Sequence, residues 1–208
     1  MIFGLLLLTP GVASAGTGDL QATPIYVGDS FGPNGYCTVG ATVQGGFITS
    51  GLCGRSGQVV RTSTGAVVGT IRASTHPLPS MAWVSVTSAW EPVGVFRGPD
   101  RRDRPVHGST PAPVGSAVCA FSHTTGWQCG SLLSRNASVT FIEGTVYGLL
   151  MTNICLGAGT PPGTPLFSNG QLQGILVSPG NCSAGGRSYF MPINEFLQRY
   201  GLTLLTSS

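Results

Sequence analysis

Glycine and proline punctuate this chain so densely that long regular helices have nowhere to form. Glycine (32) and proline (15) supply 47 of its 208 residues. Glycine weakens a helix interior and proline breaks it. Between these breaks lie short apolar or alternating runs: Ile25–Val27, Thr38–Val43, Gly46–Thr49, Val59–Thr62, Ala66–Ile71, Ala82–Val86, Ser116–Phe121, Ser138–Phe141, Gly144–Leu150, Gln173–Val177 and Tyr189-Phe190. In Ala82-Trp83-Val84-Ser85-Val86 successive side chains alternate between two faces, as a half-buried strand requires. Many short strands at near-regular spacing predict an all-β barrel or sandwich. One helix is expected, at the end of the chain. Pro192 suits a first helical turn, Ile193, Phe196, Leu197 and Tyr200 recur at helical spacing, and Gly201 stops it.

Only 8% of the residues are charged, against about 25% in an average globular protein. A coiled coil and a charge-rich disordered chain are therefore excluded. All ten cations are arginines, and the net charge of +3 is too small to argue for nucleic acid. Ile2–Leu8 followed by Ala13-Ser14-Ala15 reads as a secretory signal peptide over 1–15, cleaved after Ala15, which predicts a secreted protein. No apolar stretch approaches the ~18 residues of a membrane anchor. Six cysteines in an exported chain read as disulfides. Fifteen pairings are possible. Sequence proximity favours Cys37–Cys53, Cys119–Cys129 and Cys155–Cys182. No metal or cofactor is expected: Cys-x-x-Cys is absent, and His76, His107 and His123 stand at no ligand-like spacing.

Other motifs carry less. The polar stretch Gly98–Pro105 reads as an exposed connection between halves at 16–104 and 105–208. Gly28-Asp29-Ser30-Phe31-Gly32 matches Gly-x-Ser-x-Gly, and Asp100 or Asp103 followed by His107 would complete a hydrolase order. That motif demands a strand-to-helix elbow, and no helical pattern follows it, so a loop is the better reading. His123 is expected at the surface. Asn136-Ala137-Ser138 and Asn181-Cys182-Ser183 match the glycosylation pattern, which matters only in a eukaryotic secretory route.

At Cys37 the residues become diagnostic. Cys37-Thr38-Val39-Gly40 and Gly46-Phe47-Ile48-Thr49-Ser50-Gly51-Leu52-Cys53-Gly54 are followed by Ala82-Trp83-Val84-Ser85-Val86-Thr87-Ser88 and Val114-Gly115-Ser116-Ala117-Val118-Cys119. Thr124-Thr125-Gly126-Trp127-Gln128-Cys129-Gly130 and Gln198-Arg199-Tyr200-Gly201-Leu202-Thr203-Leu204 follow in turn. In this order the segments resemble the bacterial chymotrypsin-like serine proteases of the α-lytic protease and streptogrisin group. The resemblance implies two six-stranded antiparallel β-barrels, 16–104 and 105–208, with a C-terminal α-helix and a substrate cleft between them. It also implies a large pro-region as a folding aid; with a signal peptide abutting the barrel, the expectation is either a domain that folds unaided or a true start further upstream.

Function depends on sites rather than on a fold, and the implied catalytic positions are changed. The family's base, a histidine just before the second cysteine, corresponds to Leu52, which has no atom to accept a proton. The orienting aspartate corresponds to Ser80, which could not balance an imidazolium. The nucleophile of Cys-x-Gly-x-Gly-Asp-Ser-Gly-Gly corresponds to Pro161 in Cys155-Leu156-Gly157-Ala158-Gly159-Thr160-Pro161-Pro162-Gly163. In this fold the oxyanion donors are the N–H groups of the nucleophile residue and of the glycine two before it, here Pro161 and Gly159. Proline has no N–H. The family's buried Asp–Arg pair corresponds to Thr160 and Ala120, so both charges are gone together. Losing only one would strand the other at about 3–5 kcal/mol. The Ser-Gly-Gly edge that pairs with substrate backbone falls near Ser178-Pro179-Gly180, where Pro179 removes a donor.

The expectation is a monomeric, secreted, catalytically inactive homologue that engages peptides or protease inhibitors in the old cleft. Family analogy alone would give the alternative, an active extracellular serine endopeptidase.

Overall fold

The computed structural model describes residues 21–75, 80–98, 100, 102–180 and 182–208. The signal-peptide reading, His76 and Asn181 lie outside them. The first lobe contains β1 (Thr23–Val27), β2 (Ser30–Phe31), β3 (Cys37–Thr38), β4 (Ala41–Val43), β5 (Gly46–Thr49), β6 (Val59–Arg61), β7 (Val67–Ser74), β8 (Ala82–Val86), β9 (Trp90–Arg97) and β10 (Asp103–Pro105). The second contains β11 (Ala117–Ser122), β12 (Gly126–Phe141), β13 (Gly144–Thr152), β14 (Pro165–Ser168), β15 (Gln171–Ser178) and β16 (Ser188–Pro192), followed by α1 (Ile193–Tyr200).

In the second lobe six antiparallel strands close in the order β11-β12-β13-β16-β15-β14. The first lobe is a five-stranded sheet, β4-β5-β8-β7-β6, packed with the sheet β1-β9-β10 and the small pair β2-β3. Within it β1 joins β9 in parallel. The expected double-barrel architecture with one C-terminal helix is present, but the expectation of two six-stranded antiparallel barrels is corrected: only the second lobe closes as six antiparallel strands, and the first is divided among three sheets and includes a parallel pair. Pro192 caps α1, Gly201 ends it in the left-handed region, and Ile193, Phe196 and Leu197 are its buried face.

Alternation explains how such short strands fill separate cores. In β5 the buried neighbours Phe47 and Ile48 leave the strand on opposite faces. Phe47 enters a first-lobe core with Phe31, Val60, Ile71 and Val84. Ile48 enters a core shared by both lobes, with Ala41, Val43, Met81, Leu172, Ile175 and Phe196. Strand β15 does the same from the other side: Ile175 joins the shared core, and Leu176 joins Val118, Leu132, Leu150, Ile154 and Phe190 in the second barrel.

After α1 the chain returns to the first lobe. Leu204 bridges Val43, Leu205 N–H donates to the Thr42 carbonyl (3.0 Å), and Ser207 donates from its N–H to Val106 (3.0 Å) and from Oγ to Gly94 (2.8 Å). Three disulfides join Cys37–Cys53, Cys119–Cys129 and Cys155–Cys182, the pairs that sequence proximity favours.

One sequence reading is corrected. Residues 98–105 are not wholly a loose connection, because Asp103–Pro105 forms β10 against β9. Asp103 faces Arg97 across that pair and accepts two hydrogen bonds from its guanidinium, at 2.6 and 2.8 Å. Cross-strand charge pairing thus replaces the apolar alternation that marks the other strands.

Gly46 lies so close to the Val84 carbonyl that a methyl at its Cβ position would overlap it. Gly46→Ala is therefore expected to destabilise the fold by about 1–3 kcal/mol through overpacking. Urea unfolding of the oxidised protein measures this, and an unchanged midpoint would contradict the strand spacing.

Candidate active site

The three residues that the resemblance sets at catalytic positions sit on segments that meet between the lobes. Leu52 is in the turn Gly51–Cys53, where Ser50 caps by accepting a hydrogen bond at Oγ from the Leu52 N–H (3.2 Å). The turn ends at the Cys37–Cys53 disulfide, so β3 and this loop are tied covalently. The Leu52 side chain is 55% exposed. Ser80 is buried, with its Oγ 3.5 Å from Ser50 Oγ. Ser50 thus bridges the Leu52 backbone and Ser80, forming a neutral hydroxyl pair with no group that titrates near pH 7.

Pro161 comes from the second lobe, on the loop between β13 and β14. This loop crosses to the first lobe: Thr38 N–H donates to the Pro162 carbonyl (2.9 Å), and that oxygen lies 4.0 Å from Cys53 Sγ. The structure therefore brings Pro161-Pro162 beside the cysteine next to Leu52. Thr164 closes the loop, donating from Oγ1 to the Pro161 carbonyl (2.7 Å). The Thr160 N–H donates to Gly157 O (3.2 Å), so it is committed within the loop.

Thr160 and Ala120 are both buried. Thr160 Oγ1 donates to the Leu156 carbonyl (2.7 Å), and Leu156 shares the second-barrel core with Ala120. No unpaired charge remains at these two positions, because neither residue carries one. At the end of β15, the Pro179 carbonyl accepts from Ser188 Oγ (2.7 Å). Gly180 packs against the Arg187 backbone.

Sequence reasoning missed a cavity of about 450 Å³ lined by Pro33–Tyr36, His123, Thr124, Gly159 and Pro161. Its signal was only indirect, since His123 lies far from Tyr36 in the chain. Tyr36 is 61% exposed beside it. His123 is exposed, as the sequence predicts, but cover by the cavity wall pushes its pKa below the ordinary 6.5, against an opposing hydrogen bond with the Gly35 backbone. The cavity lining contains no serine or cysteine that an imidazole could activate.

The alternative hydrolase constellation is not assembled. Ser30 lies in β2, paired with Thr38 of β3, and not on a strand-to-helix elbow. Asp29 accepts from Tyr26 N–H at Oδ2 (2.8 Å), and burial raises its pKa. Asp103 is held by Arg97 and Asp100 by Arg104. The Arg104 guanidinium lowers the Asp100 pKa to about 2. Among the described residues no cluster of three or more His, Cys, Asp or Glu could hold a metal ion.

No protein-family model matches the chain. Individual proteins do. Streptogrisin-C of Streptomyces griseus is 43% identical over 187 residues, covering 86% of this chain but 41% of that protein. The chain thus spans about two-fifths of that relative's length. The chymotrypsin of Cellulomonas bogoriensis superimposes with a TM-score of 0.78 at 37% identity, over 88% of this chain and all of that one. Thermobifida fusca protease A gives 0.78 at 35% identity, over 89% of this chain and all of that one. The chain belongs to the bacterial chymotrypsin-like serine protease family.

The depressed His123 pKa has a signed consequence. The unfolded chain holds this proton more tightly than the native protein, so stability is fully present above the ordinary value of 6.5 and declines as pH falls through it. His123→Gln is expected to flatten that decline between about pH 7 and pH 5. Urea midpoints at the two pH values test this, and an identical slope in both proteins would contradict it.

Proposed function

We propose that this chain is a secreted pseudoprotease: a family member that binds polypeptides or protease inhibitors through the groove between its lobes and does not hydrolyse them. The observation that carries this is Pro161 on the loop that meets Cys53, with Leu52 beside it. An imino acid supplies neither hydroxyl nor N–H. Loss of the triad costs on the order of 10⁶ in rate, and loss of one oxyanion donor costs roughly 10²–10³. These factors do not simply multiply, but either is enough to remove useful turnover. Export agrees with three disulfides, which persist in oxidising compartments. Pro179 removes a backbone donor, so binding would rely on groove side chains more than on strand addition.

The rival reading is an active extracellular serine endopeptidase, favoured by the 43% identity to streptogrisin-C. A serine-directed phosphonate separates the two. No covalent labelling of the folded protein is expected; labelling abolished by one serine-to-alanine change would establish the enzyme. The triple variant Leu52→His, Ser80→Asp, Pro161→Ser is expected to stay at least about 10²-fold below a streptogrisin assayed alongside, because Pro162, Thr160 and Ala120 still shape the loop. Rates equal to the streptogrisin's would refute the loop argument. A pull-down with the purified domain that enriches neither peptides nor inhibitors counts against the binding role.

A further inference from the structure

A separate cavity of about 220 Å³ lies where the lobes meet, lined by Phe96, Arg104 and Pro105 from the first lobe's sheet, His107 from the connection, and Trp127, Phe167 and Gly170 from the second. Its aromatic side is a packed cluster. Phe96 lies 4.9 Å from Trp127 and 5.7 Å from Phe167 between ring centroids, with the rings inclined to one another. Trp127 is nevertheless 38% exposed, so an indole belonging to a buried cluster also presents surface to the cavity. Gly170 keeps the space open: a methyl there would collide with His107 Nδ1. The backbone holds this geometry, since His107 N–H donates to the Gly170 carbonyl (2.9 Å).

The polar side carries His107 and a guanidinium, Arg104, that is already ion-paired with Asp100. Arg104 gives Nη1 and Nη2 to Asp100, at 3.1 and 2.6 Å, and Nη1 also to the Arg102 carbonyl (3.1 Å), while its Nε–H has no partner among the described residues. Asp100 therefore fixes the guanidinium from one edge and leaves another edge for a ligand. Arg97 and Arg104 are each paired with an aspartate, Asp103 and Asp100, and Arg102 of the same stretch is exposed outside the cavity lining. The volume is smaller than the roughly 300–1,000 Å³ of drug-sized pockets, and ligand sites favour domain junctions. One aromatic ring with one hydrogen-bond-accepting anionic group fits these dimensions and the donor edge that Asp100 leaves open on Arg104.

We propose that this cavity binds a small aromatic carboxylate, with the ring against Trp127 and Phe167 and the carboxylate at Arg104 and His107. Binding would bridge the two lobes, so it should stabilise the whole fold by mass action. The site is independent of the pseudoprotease reading, since none of its residues is at a catalytic position.

The test titrates the full chain with phenylacetate and with neutral phenylacetamide, read by tryptophan emission and by the thermal midpoint. Phenylacetate is expected to give a saturable change in both readouts, and the amide to bind about ten-fold more weakly for want of a charge-assisted hydrogen bond. Trp127→Phe should remove most of the emission change while the midpoint shift remains. Arg104→Gln should bring the two probes to within about twofold of each other. Equal affinity of acid and amide for the unaltered protein overturns the proposal, as does unchanged acid binding in Arg104→Gln. Absence of any saturable change up to about 50 mM, near the weak limit for so few atoms, also overturns it. Should Arg104→Gln fail to fold, the comparison of the two probes on the unaltered protein decides alone.

Discussion

The backbone bond from Thr38 to the Pro162 carbonyl holds the second lobe's central loop against the first lobe. It is reinforced from both sides. Thr49 Oγ1 donates to the Thr38 carbonyl (2.7 Å), and Gly163 lies so near that carbonyl that any larger residue would overlap it. Gly163 also has φ +94, which favours glycine. None of these contacts uses the side chains of Leu52, Ser80 or Pro161. The contacts that join the lobes here are therefore distinct from the side chains at the three positions.

The same separation holds for the cores. Strands β5 and β15 each send neighbouring side chains into two different apolar clusters, so each works as a partition between compartments. The shared compartment orients the lobes through Ile48 and Ile175. Where charges of a buried pair would have stood in the family, Thr160 satisfies its hydroxyl locally and Ala120 adds to the apolar packing. Both replacements are neutral, which avoids the cost of one buried unpartnered ion.

Much of the fold was legible because its strands alternate and its turns are marked by glycine and proline. Ala82–Val86, Gly46–Thr49 and the terminal helix match the pattern closely. Strand β9 escaped because Pro92 and Gly94 interrupt its pattern; it is specified by partners on both sides, β1 and β10. The start of β12 escaped because Gly126–Ala137 mixes polar and apolar residues without sustained alternation, and its register is set by β11 and β13. At the site, residue types alone revealed which chemical groups are missing. They could not reveal the cavity beside His123 or the aromatic cavity, because both assemble from segments distant in the chain. The cystine pairs followed from proximity because each closes a short loop, of 10 to 27 residues.

The segment after α1 has a consequence for assembly. Its bonds to Thr42, Val106 and Gly94 complete the edge of a lobe whose own strands are made first. During synthesis, that lobe must wait with an unfinished border until the segment after α1 emerges. Such a border is a template for mispairing with other chains. Early closure of the Cys37–Cys53 ring would then serve as a clamp, limiting how far the waiting half can unravel before its latch arrives.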